Sequence, residues 1–201
     1  MDVIYYIAQE NYPAEYVERD FPLRVERYTA RPDSGGPGLH RGGVGVIRDV
    51  RVLCERAELA TRMENTLVAP YGVAGGRAGR TGRILLNPGT PQERELAALG
   101  DGFVLERGDL LRFETCGGGG WGDPLARDPE RVRQDVARGL VTVRGALDDY
   151  GVVLDAVALD VDKTATDEER RRRAAEPFLI DRGPGFDEAE RRWRAARESG
   201  R

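Results

Sequence analysis

Apolar and charged residues alternate along Phe21-Pro22-Leu23-Arg24-Val25-Glu26-Arg27-Tyr28, the two-residue period of a half-buried strand. Residues 1–20 show no clear period. Asn11-Tyr12-Pro13 marks a break there, and Ala14 to Arg19 reads as a short turn of helix. The stretch 46–63, VIRDVRVLCERAELATRM, does not form one clean face. Its β-branched content favours strands, and a hairpin turning near Glu55 to Ala57 is expected. Arg83 to Asn87 reads as a strand stopped by Asn87-Pro88-Gly89, and residues 100–115 as two short strands about a Gly108-Asp109 turn.

The period changes after Pro124. Asp128-Pro129-Glu130 carries an N-cap acid, a proline at the first helical position and an acid in the first turn. Val132 and Val136 lie four apart on that helix, and Gly139 stops it. Thr142 caps a second short helix ended by Tyr150-Gly151, and Val152-Val153-Leu154 reads as a short apolar strand. Further helices are expected over Thr166 to Glu176, capped by Thr166 with Glu169, and over Phe186 to Ser199 after a flexible Gly183-Pro184-Gly185 link. Strands first and helices last predict an α+β fold. Its N-terminal two-thirds is β-rich with glycine-rich loops, and short helices and a charged helical tail follow. Residues 1–155 are read as one region and 156–201 as the tail.

Composition narrows the function classes. A hydrophobic content of 40% over 201 residues supports one core, with at most a small satellite. No run approaches the length of a membrane-spanning helix, and the N-terminus lacks the pattern of a signal peptide, so a cytoplasmic protein is expected. A net charge of −4 gives no reason to expect nucleic acid, and the Arg170 to Arg173 run reads as a solvated helix face. Cys54 and Cys116 form no CxxC pair, and His40 is the single histidine, so no metal site is expected on this chain. Cys116 reads as an inert thiol because no base lies near it in sequence, and His40 as a loop residue beside Arg41.

Glycine is dense between Gly35 and Gly122, and two constellations there hold the candidate substrate-binding or interface residues. The first is Arg31-Pro32-Asp33-Ser34-Gly35-Gly36-Pro37-Gly38 with Arg41-Gly42-Gly43. Its glycines admit close backbone approach, and Arg31 and Arg41 offer planar forks for a carboxylate or phosphate. The alternative is plain turns at the edge of a β layer, with Asp33 and Ser34 bonding nearby amides. No GKS or GKT follows, so this is not a Walker loop. The second is Gly117, Gly118, Gly119 and Gly120 running into Trp121-Gly122-Asp123-Pro124. Four glycines in a row are costly to order, which leaves three readings: an anion-binding nest, tight threading beneath another subunit with Trp121 as anchor, or a plain connector.

Taken in order, Glu15, Phe21 to Arg24, Arg31 to Gly38, Arg41-Gly42-Gly43, Asn87-Pro88-Gly89, Gly108-Asp109 and Gly117 to Pro124 resemble the C-terminal region of the hydantoinase B/oxoprolinase family, of N-methylhydantoinase B type. Asp128-Pro129-Glu130, Gly139-Leu140-Val141 and Asp149 to Leu154 continue the resemblance, which covers roughly residues 1–155. It implies a B component partnered by an ATP-binding hydantoinase A-type subunit, opening cyclic amides such as hydantoins or 5-oxoproline at the expense of ATP. Related members act as acetone or acetophenone carboxylases, and a non-catalytic assembly module or truncated fragment is a further reading. The resemblance also implies ATP and a divalent metal for the full complex, the metal being held by the N-terminal half of the B component, a portion this chain does not contain. No catalytic ligand carries over onto a residue here, so the isolated chain is expected to be inactive. Trp121, where an aromatic or histidine is usual, and the tail after Asp160 depart from the family pattern.

Overall fold

The structure is a computed structural model that describes residues 12–173 and 179–198. Two compact units share the chain. One gathers the described residues of 1–29 with 46–66 and 82–115, and the other those of 30–45, 67–81 and 116–201.

The first unit is mostly β. A short helix, α1 (Ala14–Asp20), precedes the strands β1 (Leu23–Ala30), β2 (Val46–Val52) and β3 (Arg56–Arg62). Later in the same unit come β5 (Arg83–Leu86), β6 (Arg94–Leu96), β7 (Leu99–Glu106) and β8 (Leu110–Glu114), while β4 (Gly72–Val73) belongs to the other unit. Five strands form one sheet in the order β1-β2-β8-β5-β6, and β3 and β7 form a separate two-stranded ribbon. Val50 faces Leu111 across β2 and β8, and Leu111 also faces Leu86 across β8 and β5, all in antiparallel register. Val52, Ile84, Leu86, Leu96 and Leu111 of the sheet bury against Leu105 of the ribbon, with Leu59 and Phe103 packed on the same cluster. Cross-strand ion pairs follow the register: Arg112 forks onto buried Asp49 through two 2.8 Å bonds, and Arg83 pairs with Glu114.

The expected hairpin over 46–63 is not formed. Both strands exist, but β2 pairs with β8 and β3 pairs with β7, so the intervening bend carries the chain from sheet to ribbon. Burial gives the physical reason. Ile47, Asp49, Val50 and Val52 are all buried, as in a strand with neighbours on both sides, whereas β3 alternates exposed and covered residues. The Gly108-Asp109 turn is present, and it too passes from ribbon to sheet.

The second unit holds the helices α2 (Pro129–Ala137), α3 (Val143–Tyr150), α4 (Lys163–Arg172) and α5 (Phe186–Glu198), and the two-residue strand β9 (Ile180–Asp181), which pairs with β4. Asp128 accepts the Glu130 N–H and Thr142 accepts the Gly145 N–H, as the capping pattern predicts. Gly139 and Gly151 end their helices at φ 68° and 62°. Val132, Val141, Ala146, Tyr150 and Val152 form this unit's core.

Three expectations are corrected here. Val152 to Leu154 is not a strand; Val152 packs among the helices, and Leu154 makes an isolated bridge to Val161. Helix α4 starts earlier than expected, capped by Asp162, and Thr166 lies buried inside it with its hydroxyl accepting the Val153 N–H. The Arg170 to Arg173 run is not a uniform solvated face. Arg170 is partly buried and donates to the Tyr150 and Arg127 carbonyls. Glu176 and Ser199, the expected ends of two helices, lie outside the described residues.

Candidate functional site

Three glycine-bearing segments of the second unit, 31–45, 70–81 and 116–124, run alongside one another and exchange backbone hydrogen bonds. The Gly36 N–H donates to the Gly118 carbonyl and the Gly118 N–H to the Gly43 carbonyl, both at 2.8 Å. The Gly120 N–H donates to Arg77, Arg77 to Pro37, Gly117 to Arg80 and Arg80 to Ser34. The backbones approach so closely that a Cβ on Gly117 would stand 1.8 Å from the Ser34 carbonyl oxygen, and one on Gly119 1.8 Å from that of Tyr71. Thus the close approach that the glycine run predicts is met by other segments of the same unit. The N–H groups of Gly117, Gly118 and Gly120 are engaged by carbonyls, so they are not presented to an anion as a nest requires.

Most of the sequence candidates take part in this packing. Arg31 donates from its guanidinium to the Thr81 carbonyl at 2.7 Å. Ser34 is fully buried, donating to the Arg31 carbonyl and accepting the Gly45 N–H. Asp33 sits in the left-handed region at φ 56°, and its carboxylate accepts both the N–H and the hydroxyl of Thr142 at 2.8 Å. Gly35 and Gly36 are buried against Gly42 and Arg77 backbone. Arg41 forks onto Asp135 of α2 at 3.0 and 3.3 Å, and Arg127 reaches the same carboxylate at 2.9 Å. Its fork therefore serves the fold. Trp121 stands apart, half exposed with its ring 5.5 Å from that of His40. Cys116 is half-buried.

A cleft of about 480 Å³ opens in the same unit. Asp33 and Asp123 of the candidate set line it, together with Arg77, Arg80, Asp149 and the apolar Pro37, Ala74 and Leu125. Asp123 also caps the 3-10 turn Pro124–Ala126 by accepting the Leu125 N–H. Asp149, at the end of α3, is half-buried, and its carboxylate has no hydrogen-bond partner among the described residues. Burial first, and then the Asp33 carboxylate, push its carboxyl above the ordinary value, while the Arg80 guanidinium pulls the other way. A carboxyl so placed can exchange a proton or accept a hydrogen bond from a ligand whose acceptor atoms face Arg80. In the sequence Asp149 stands out only as part of the family pattern, and neither Arg80 nor the Arg41–Asp135–Arg127 cluster is legible there. Those groups meet across long sequence separations, and no local spacing signals them. No three His, Cys, Asp or Glu side chains are grouped to hold a metal ion among the described residues. No helix among them is long and apolar enough to cross a membrane.

Comparison with known proteins gives this geometry a context. Residues 4–124 match the family described as hydantoinase B/oxoprolinase. A protein of Pseudomonas sp. (strain NS671), whose name proposes the B component of a D-/L-hydantoinase, is 33% identical over 161 residues, covering 79% of this chain and 27% of that protein. The acetophenone carboxylase delta subunit of Aromatoleum aromaticum (strain DSM 19018 / LMG 30748 / EbN1) is 33% identical over 89% of this chain and 30% of its own length. Among solved structures, the ATP-dependent caprolactamase from Pseudomonas jessenii superposes with a TM-score of 0.68 at 28% identity, covering 79% of this chain and 28% of that one. The chain thus spans less than a third of the length of these relatives.

Proposed function

Given that the chain belongs to the hydantoinase B/oxoprolinase family, we propose that it forms the C-terminal segment of the B component of an ATP-dependent cyclic-amide hydrolase of hydantoinase or 5-oxoprolinase type, working in the cytoplasm with an ATP-binding A-type subunit. The observation that carries this reading is a coincidence of match and structure. The family match over residues 4–124 takes in all three interlaced segments, 31–45, 70–81 and 116–124, together with the strands between them. The matched part of the chain therefore includes the whole glycine-built seam. In the proposal, ATP and a divalent metal act on the parts of the complex supplied by the A-type subunit and the rest of the B component.

A second reading, a subunit of an acetone- or acetophenone-type carboxylase, draws on the likeness to the acetophenone carboxylase delta subunit over 89% of this chain. Purified chain should leave hydantoin, 5-oxoproline and ATP unchanged, and adding the A-type subunit and the rest of the B component should give amide hydrolysis coupled to ATP. Turnover by the chain alone would overturn the proposal. Consumption of bicarbonate and a ketone in place of amide hydrolysis would replace it with the carboxylase reading, and an inert complete assembly would favour a non-catalytic module.

A further inference from the structure

Four short backbone segments of the second unit lie side by side, and their pairing puts one residue of each in a row. His40 and Trp121 pair antiparallel, each donating its N–H to the other's carbonyl at 2.9 Å. Trp121 pairs in parallel with Val73, and Val73 pairs antiparallel with Ile180. Residues directly paired across neighbouring strands project to the same face. His40, Trp121, Val73 and Ile180 therefore form a continuous stripe, ending at β9. The stripe is open: Trp121 is 51% and Ile180 46% exposed, and His40 is exposed as well. It carries no carboxylate, ammonium or guanidinium. A row of an imidazole, an indole and two aliphatic side chains, centred on the tryptophan, has the composition of an interface core.

We infer that this stripe is the surface on which the chain seats the remainder of the B component, the polypeptide that the longer relatives carry outside the matched segment; the inference rests on the functional reading above. Two observations favour that occupant over a second copy of the chain. The matched segment makes up only 27% and 30% of the hydantoinase- and carboxylase-named relatives, so more than two-thirds of a family polypeptide lies outside it. Three of the four stripe residues, His40, Val73 and Trp121, fall within the family match, so the face is built on the part of the fold that the relatives share. Within one polypeptide such a contact is permanent, and permanent interfaces are the ones with apolar, aromatic centres.

The test co-expresses the full chain with the part of the Pseudomonas sp. (strain NS671) relative that it does not match. A Trp193→Phe background leaves Trp121 as this chain's one tryptophan, and its signal is read as the difference from the same complex carrying Trp121→Phe. The two polypeptides should co-elute in size exclusion, with Trp121 emission shifted to the blue and shielded from acrylamide. Trp121→Glu and Ile180→Glu, both at exposed positions, should melt like the parent yet weaken association by about tenfold or more. Association undiminished by both substitutions overturns the proposed face and leaves the B-component reading standing. A homodimer of the chain alone that Trp121→Glu dissociates assigns the face to a second copy and also overturns it. No association with the parent chain, or a remainder that stays insoluble beside it, overturns the proposed face and counts against the B-component reading too.

Discussion

Gly119 and Gly118 are neighbours in sequence with opposite tolerance for a methyl group. A Cβ on Gly119 would collide with the Tyr71 carbonyl, which is backbone and cannot swing away, whereas the nearest atom to a Cβ on Gly118 is the Gly43 nitrogen at 3.3 Å. Gly119→Ala should cost about 3 kcal/mol or more, while Gly118→Ala, which asks its backbone neighbour to give by only a small shift, should cost far less. Equal melting temperatures for the two would mean that the loops do not interlock as described. Asp149 gives a prediction in pH. Its folded-state pKa is raised, so the folded chain binds the proton more tightly than the unfolded chain. Its destabilising effect is absent below the ordinary carboxylate range of about pH 4 and sets in as pH rises through the raised value. Asp149→Asn should therefore raise the melting temperature at neutral pH and lose that advantage in acid. A gain equal at both pH values would sink the assignment. At this scale the sequence reveals residue types but not partners. The need for glycine at Gly117 to Gly120 is readable from the run itself, yet what presses on it, Ser34, Tyr71 and Pro37, comes from segments that only the folded chain brings near.

Elements whose signals are local are legible; those whose pairing is remote are not. Asp128 with Pro129 announces α2, and Thr142 and Gly151 bracket α3, because a cap acts on amides within one turn. The same local grammar misplaces the start of α4. Thr166 has the chemistry of a cap, but its hydroxyl is used sideways, on the amide of Val153 in a different segment. Thr166→Val keeps the shape and strands that N–H in a part-buried place, which should cost about 1–3 kcal/mol by urea denaturation. A loss no larger than that of an exposed substitution would show the bond to be dispensable. The hairpin expected at 46–63 fails for a related reason. Strand character is written in Val46 to Val52, but the choice of β8 as partner depends on residues more than fifty positions away.

At the scale of the molecule, the chain passes back and forth between the two units before it settles in the second at Cys116. No single cut in sequence separates them, so a composition shift near residue 155 is a poor guide to what can be removed. Residues beyond that point supply Thr166 to Val153 and the Arg170 guanidinium to the carbonyls of Tyr150 and Arg127. Burial lowers the pKa of Arg170, which marks it as part of the packed structure and not as a tail charge. A chain ending at Asp155 should lose several degrees in melting temperature and expose the helical core around Tyr150 and Val152 to hydrophobic dye. Unchanged melting would return the last third of the second unit to the role of an appendage.

The interlaced segments have a consequence for how their amide protons trade with deuterium. By shape, 31–45 and 116–124 are loops, which ordinarily exchange quickly. Yet the amides of Gly36, Arg77, Arg80, Gly117, Gly118 and Gly120 all donate to carbonyls inside a seam that at Gly36, Gly117 and Gly120 is too tight for a methyl group. Opening any one of them requires parting two backbones at once, so their exchange should follow the stability of the whole unit and match that of α3. Peptide-resolved mass spectrometry would then find, in the most glycine-rich and least regular part of the sequence, some of its slowest protons.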